Sequence, residues 1–103
     1  MNKKYRLRYL PLFEQDLAAV RDYIVRVFQN PTAARNLLEE TDRAIMKRLE
    51  SPLSYEAYHS VRDRKHPYYL IRIKNYTVFY VVIDDVMEVR RFIYSRRDFG
   101  DLI

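Results

Sequence analysis

Residues 68–99 read YYLIRIKNYTVFYVVIDDVMEVRRFIYSRRDF, and this stretch decides the fold. Two turn signals, Asn75 and Asp84-Asp85, divide it into three β-rich runs: Tyr69–Lys74, Tyr76–Ile83 and Val86–Tyr94. Side chains alternate between faces along a strand. Tyr69, Ile71 and Ile73 therefore oppose Leu70, Arg72 and Lys74. In the last run Met87, Val89, Arg91 and Ile93 oppose Val86, Glu88, Arg90, Phe92 and Tyr94, and neither set is purely apolar. Taking Met87, Val89 and Ile93 as the core side turns Arg90 and Tyr94 outward, beside Arg72 and Lys74, with Arg96 and Arg97 at the exit.

Working outward, Tyr5–Leu10 alternates Tyr5, Leu7 and Tyr9 against Arg6 and Arg8, the pattern of a half-buried strand that Pro11 ends. Phe13–Gln29 switches to helical spacing through Leu17, Val20, Ile24, Val27 and Phe28, with Glu14 and Asp16 suited to the dipole of the first turn. Asn30-Pro31 combines a capping side chain with a residue that fits the first helical position. A second helix follows to about Leu49, with its stripe at Ala34, Leu37, Leu38, Thr41, Ile45 and Leu49. So short a connection predicts an antiparallel helical hairpin. Residues 52–67 have no clean period and read as a loop with a basic cluster, Arg62–His66. The Leu102-Ile103 end is expected to dock on the body or a partner. The order β-α-α-β-β-β predicts one α+β domain over residues 1–103: a mainly antiparallel four-stranded sheet packed against the hairpin.

Composition narrows the chemistry. A chain of 103 residues has room for one core. Without cysteine it has neither disulfides nor a thiolate site, and one glycine cannot build a phosphate-binding loop. The longest apolar run, Tyr76–Ile83, is too short to span a bilayer, so no membrane role and a cytoplasmic setting are expected. The net charge is +5; residues 13–50 are slightly acidic, and the positive excess lies in residues 1–12 and 51–103. That distribution points to an anionic partner, nucleic acid or acidic protein.

Arginines and tyrosines delivered together at a sheet edge suit phosphate contacts and base stacking. The RNA-binding candidates are Lys74, Arg90, Arg96, Arg64, Lys65 and Tyr80. The catalytic candidates are Arg97, Arg72, Tyr94 and His66, the better placed of the two histidines. Metal-free RNA cleavage needs a base, an acid and positive charge for the phosphorane. The competing reading is structural: Arg90 and Arg91 pair with Glu88, Asp84 or Asp85, while Arg97 and Asp98 lock the tail. No metal, ATP or small-molecule cofactor is indicated.

The element order, with Tyr76-Thr-Val-Phe-Tyr-Val-Val-Ile-Asp84 and Ile93-Tyr-Ser-Arg-Arg-Asp98, resembles the RelE/ParE superfamily of bacterial toxins over nearly the whole chain. The resemblance implies the toxin half of a type II toxin–antitoxin pair, of the kind linked to plasmid stabilization, silenced by a cognate antitoxin. RelE-like members are ribosome-dependent mRNA interferases, metal-free endoribonucleases that act on mRNA in the ribosomal A site. ParE-like members inhibit DNA gyrase without nuclease activity. By resemblance Arg72 matches a basic position on the strand after the helices, Arg97 the basic residue closing the last strand, and Tyr94 a functional aromatic position. Thr77 departs from the pattern, since RelE-like nucleases commonly carry a phosphate-binding arginine there. The expectation is RNA cleavage, with gyrase inhibition as the alternative and a non-toxic antitoxin-pairing domain as a third reading.

Overall fold

The break between the helices is set by Asn30, whose side-chain oxygen accepts a hydrogen bond from the Ala33 N–H at 3.0 Å. In the computed structural model, which describes residues 4–58 and 65–97, this cap opens α2 (Pro31–Leu49). Pro31 stands at its start, where a missing N–H costs nothing. The preceding helix, α1, spans Pro11–Val27 rather than starting at Phe13. Pro11 both stops the strand before it and begins the helix. Gln29 absorbs the reversal between the helices with φ 51°, a left-handed conformation that costs a non-glycine residue about 1 kcal/mol.

Four strands form one sheet: β1 (Arg6–Tyr9), β2 (Tyr69–Ile73), β3 (Tyr76–Ile83) and β4 (Val86–Tyr94), in the spatial order β1-β4-β3-β2. β2, β3 and β4 form the expected antiparallel meander. β1 joins its far side parallel to β4, pairing Arg6–Tyr9 with Val86–Val89. The helical hairpin between β1 and the meander supplies the crossover that a parallel pair requires. The two turns begin at Lys74 (φ 53°) and Asp84 (φ 56°), also left-handed.

Both helices cover one face. Phe13, Leu37 and Ile45 pack on Ile71, Ile73, Val78, Tyr80, Met87, Val89 and Phe92. Burying each large apolar side chain contributes about 1.5–3 kcal/mol. A smaller cluster of Tyr68, Phe79, Val81 and Ile93 lies on the opposite face.

One irregularity changes the expected facing. Phe79 pairs with Arg91 but Tyr80 pairs with Val89, so Arg90 is an extra residue in β4. Such a bulge shifts every later side chain by one position. Met87 and Val89 face the helices as expected, but beyond the bulge Phe92 does so and Ile93 turns to the other face. The expectation that Ile93 shares the core side is thereby corrected.

The outer edge of β2 is also occupied. The Tyr58 N–H donates to the Tyr68 carbonyl at 2.7 Å. Two residues along, and so on the same edge, the Leu70 carbonyl accepts from Arg48 Nη1 at 3.0 Å. The same nitrogen donates to the Tyr80 hydroxyl at 2.9 Å, and that hydroxyl donates to the Pro52 carbonyl at 2.8 Å. Tyr55 stacks on the guanidinium with its ring centre 3.5 Å from Arg48 Cζ.

Candidate functional site

Arginines along the sheet divide into two groups. Near β1, Arg6 reaches Asp85 at 3.1 Å, and Arg8 and Arg90 grip the two oxygens of Glu88 at 2.9 and 2.8 Å. Glu88 is only 6 % exposed. Burial alone would raise its pKa, but hydrogen bonds and charge from Arg90 and Arg8 outweigh it and hold the carboxyl below the ordinary value. Burial likewise works against the Arg90 charge, yet bonds to Tyr68 and Glu88 leave its pKa raised. Arg91 binds Asp16 of α1 through Nε at 2.7 Å and Nη2 at 3.2 Å. Asp16 also accepts the Phe92 N–H at 3.0 Å, just past the end of β1 and the bulge.

The other end is built differently. Arg72 lies across from Thr77, and Thr77 across from Ile93. Strands lie about 4.8 Å apart, so Arg72 and β4 are separated by about 10 Å at the backbone. Thr77 is buried, and its hydroxyl shares a 2.8 Å hydrogen bond with Ser95. The Ser95 N–H donates to the Asn75 carbonyl at 2.8 Å and the Arg97 N–H to the Tyr94 carbonyl at 3.0 Å, which fixes the chain as it leaves β4. Arg72, Arg96 and Arg97 are exposed, and among the described residues none has a carboxylate partner. These three cations form the candidate anion-binding patch.

Several sequence candidates stand elsewhere. Tyr80 has no exposed surface and its hydroxyl is engaged inside, so it cannot stack on a base. Tyr94, moved by the bulge, lies on the helix side against Tyr76 at 5.7 Å, not beside Arg72. Lys74 leaves the strand in its left-handed turn and meets Glu40 of α2 at 3.6 Å, so it too is not beside Arg72. Arg90 faces away from the helices as expected, but it is committed to Glu88. Half-buried His66 and exposed Lys65 precede β2, whereas Arg72 is near the strand's other end. Arg64, Asp98 and the Leu102-Ile103 end lie outside the described residues. Among the described residues no group of three or more His, Cys, Asp or Glu side chains could hold a metal ion, and no helix is long and apolar enough to cross a membrane.

A second feature escaped the sequence reading. Tyr23 and Phe28 of the α1 end, with Tyr76 and Tyr94, line a cleft of about 500 Å³. Phe28 is 63 % exposed and Tyr94 38 %. Burial first, then the neighbouring Tyr94 and Tyr23, raise the Tyr76 pKa and keep its phenol protonated. An adjoining cleft shares Phe28, Asn75 and Tyr76 and is bordered by Lys74. The helical period marked Phe28 as core, but it stands at the C-cap of α1 and is left exposed. An exposed aromatic groove of this kind is a candidate interaction surface.

A two-layer β-α-α-β-β-β domain with an arginine patch and an aromatic groove has the architecture of the small toxins of the RelE/ParE superfamily. The chain matches the family described as ParE toxin of type II toxin-antitoxin system, parDE, over residues 7–99, and it belongs to that family. Its fold is similar to a chain of the chromosomal ParDE toxin–antitoxin system from P. aeruginosa, with TM-score 0.68 and 15 % identity over 88 % of this chain and 96 % of that one. It is also similar to a chain of the archaeal RelE-RelB complex from Pyrococcus horikoshii OT3, with TM-score 0.52 and 19 % identity over 92 % and 99 % of the two chains. No curated protein matches the sequence.

Proposed function

We propose that this toxin acts by gripping a protein target, DNA gyrase, and not by cutting RNA. The observation that carries this reading is the separation of the groups cleavage would need. Arg72 and Tyr94 are on opposite faces, His66 precedes the opposite end of β2 from Arg72, and Thr77 has its hydroxyl on Ser95 where a nuclease would carry a cationic side chain. General acid–base catalysis requires its groups within hydrogen-bond reach of one reacting centre. Binding requires only a complementary surface. Arg72, Arg96 and Arg97 supply charge, and the groove of Tyr23, Phe28, Tyr76 and Tyr94 supplies apolar contact.

The same two surfaces suit a cognate antitoxin whose acidic and apolar side chains cover both. The ParDE and RelE-RelB likenesses support such a partner. Messenger RNA cleavage on the ribosome is the second reading, favoured by three cations at one end of the sheet that have no carboxylate partner among the described residues.

The deciding experiment runs the purified protein in a gyrase supercoiling assay and in a translation reaction analysed by primer extension. Blocked supercoiling with intact message is expected. Cuts at A-site codons with unimpaired supercoiling would overturn the proposal in favour of the nuclease.

A further inference from the structure

We infer that the two adjoining clefts beside the reversal between α1 and α2 form one binding site for a free adenine nucleotide, with the base among the aromatic rings and the phosphates at Lys74. The first cleft, of about 500 Å³, is lined by Tyr23 and Phe28 of the α1 end and by Tyr76 and Tyr94 of the sheet. The second, of about 480 Å³, is bordered by Lys74 and Asn30. Phe28, Asn75 and Tyr76 line both, so the two share a wall. Each lies within the size range of small-molecule sites.

The order of chemistry along this trough is that of a nucleotide. One end offers π-faces, with the Tyr76 and Tyr94 rings 5.7 Å apart and those of Tyr23 and Phe28 5.6 Å apart. Phe92 backs Tyr76 in a stack at 5.0 Å and 12°, so the platform is ordered in advance. Such rings stack on a base. Asn75 stands between the clefts. Its backbone carbonyl accepts the Ser95 N–H at 2.8 Å, while its side-chain amide has no partner among the described residues. A free carboxamide offers the donor and acceptor that match adenine N7 and N6. Lys74 supplies the cation of the second cleft. Asn30 caps α2 through its oxygen, which leaves its amide nitrogen as a further donor.

Charge fixes the phosphate end. Among the described residues no carboxylate lines either cleft. Lys74 meets Glu40 outside them at 3.6 Å, with both side chains exposed. So exposed a pair contributes little, and a phosphate, which carries more charge and more acceptors, displaces the carboxylate. A purely apolar occupant would leave the Asn75 amide and the Lys74 ammonium unanswered, whereas a nucleotide answers rings, amide and cation together. The inference stands on the two clefts and does not require the proposed action on gyrase.

The test titrates the purified full chain with ADP, adenosine, CDP and pyrophosphate, using calorimetry for affinity and NMR for the place of binding. ADP is expected to shift signals of Phe28, Asn75 and Tyr76 and to bind about tenfold tighter than each of the other three. Phe28→Ala, at a position 63 % exposed and so tolerant of change, should weaken ADP about tenfold. Asn75→Ala should bring ADP and CDP to equal affinity, and Lys74→Ala should do the same for ADP and adenosine. No saturable ADP binding would overturn the inference and leave the clefts to a protein partner. Equal binding of pyrophosphate, or shifts confined to Arg72 and Arg97, would overturn it too. A single-stranded oligoadenylate that binds tighter than ADP would overturn it in favour of nucleic acid. Should a variant not fold, the ligand series on the unaltered protein decides. Blocked or unblocked supercoiling changes none of these readouts, so the two proposals fail separately.

Discussion

At the β1 end of the sheet Arg6, Arg8, Arg90 and Arg91 each meet a carboxylate; at the other end Arg72, Arg96 and Arg97 meet none among the described residues. The residue type is the same and the setting opposite. In the first region each guanidinium is committed to a carboxylate of the fold, from partly exposed Asp85 to buried Glu88. In the second it is left solvated, available to an anion from outside. The bulge at Arg90 lies within the first region, and Asp16 anchors the strand just past it.

Substitutions can break this contrast, and their expected effects on stability form a descending series. Asp16→Ala should cost most, about 3 kcal/mol in urea denaturation, because it strips the acceptor from both the Arg91 guanidinium and the Phe92 N–H. Equal stability of variant and parent would show that the bulge holds itself. Glu88→Gln comes next, at about 2 kcal/mol near neutrality. Its sign with pH follows from the lowered pKa. The Glu88 contribution is present above the carboxyl's unfolded value, about 4.5, and is lost as pH falls through the still lower folded value. The gap between parent and variant should therefore narrow in acid, and a gap independent of pH would refute the ion-pair account.

Arg72→Ala and Arg97→Ala belong at the bottom of the stability scale, within about 0.5 kcal/mol, as is usual for exposed positions. Each is nevertheless expected to relieve growth arrest. Toxicity undiminished in both would remove the patch from function and leave the aromatic groove to carry target binding. Tyr94→Phe should change neither folding nor toxicity, since the ring and not a proton is used; a large loss of toxicity would restore a catalytic role.

Much of the architecture was legible because local chemistry was unambiguous. Asn30-Pro31 marks a helix start in any context, and the alternation of Tyr69–Ile73 divided its side chains into two faces. The parallel placement of β1 against β4 was not legible, because strand partners are chosen by long-range packing. The bulge carried no glycine or proline to announce it. Its one trace is the doublet Arg90-Arg91, two successive cations where strict alternation would put one on the core side. Missing that single residue misassigned Ile93 and Tyr94, and with Tyr94 one of the four catalytic candidates. Tyr80 was lost for another reason: a phenol looks alike in sequence whether its hydroxyl meets water or a buried carbonyl.

Arg48 carries a further consequence. Small sheets with a bare outer strand tend to zip onto their neighbours and aggregate. Here one guanidinium on Leu70 and one backbone bridge from Tyr58 leave little of the β2 margin for a second copy to copy its ladder onto. That margin is thus a seam plugged with a charge, while the adhesive surfaces lie elsewhere.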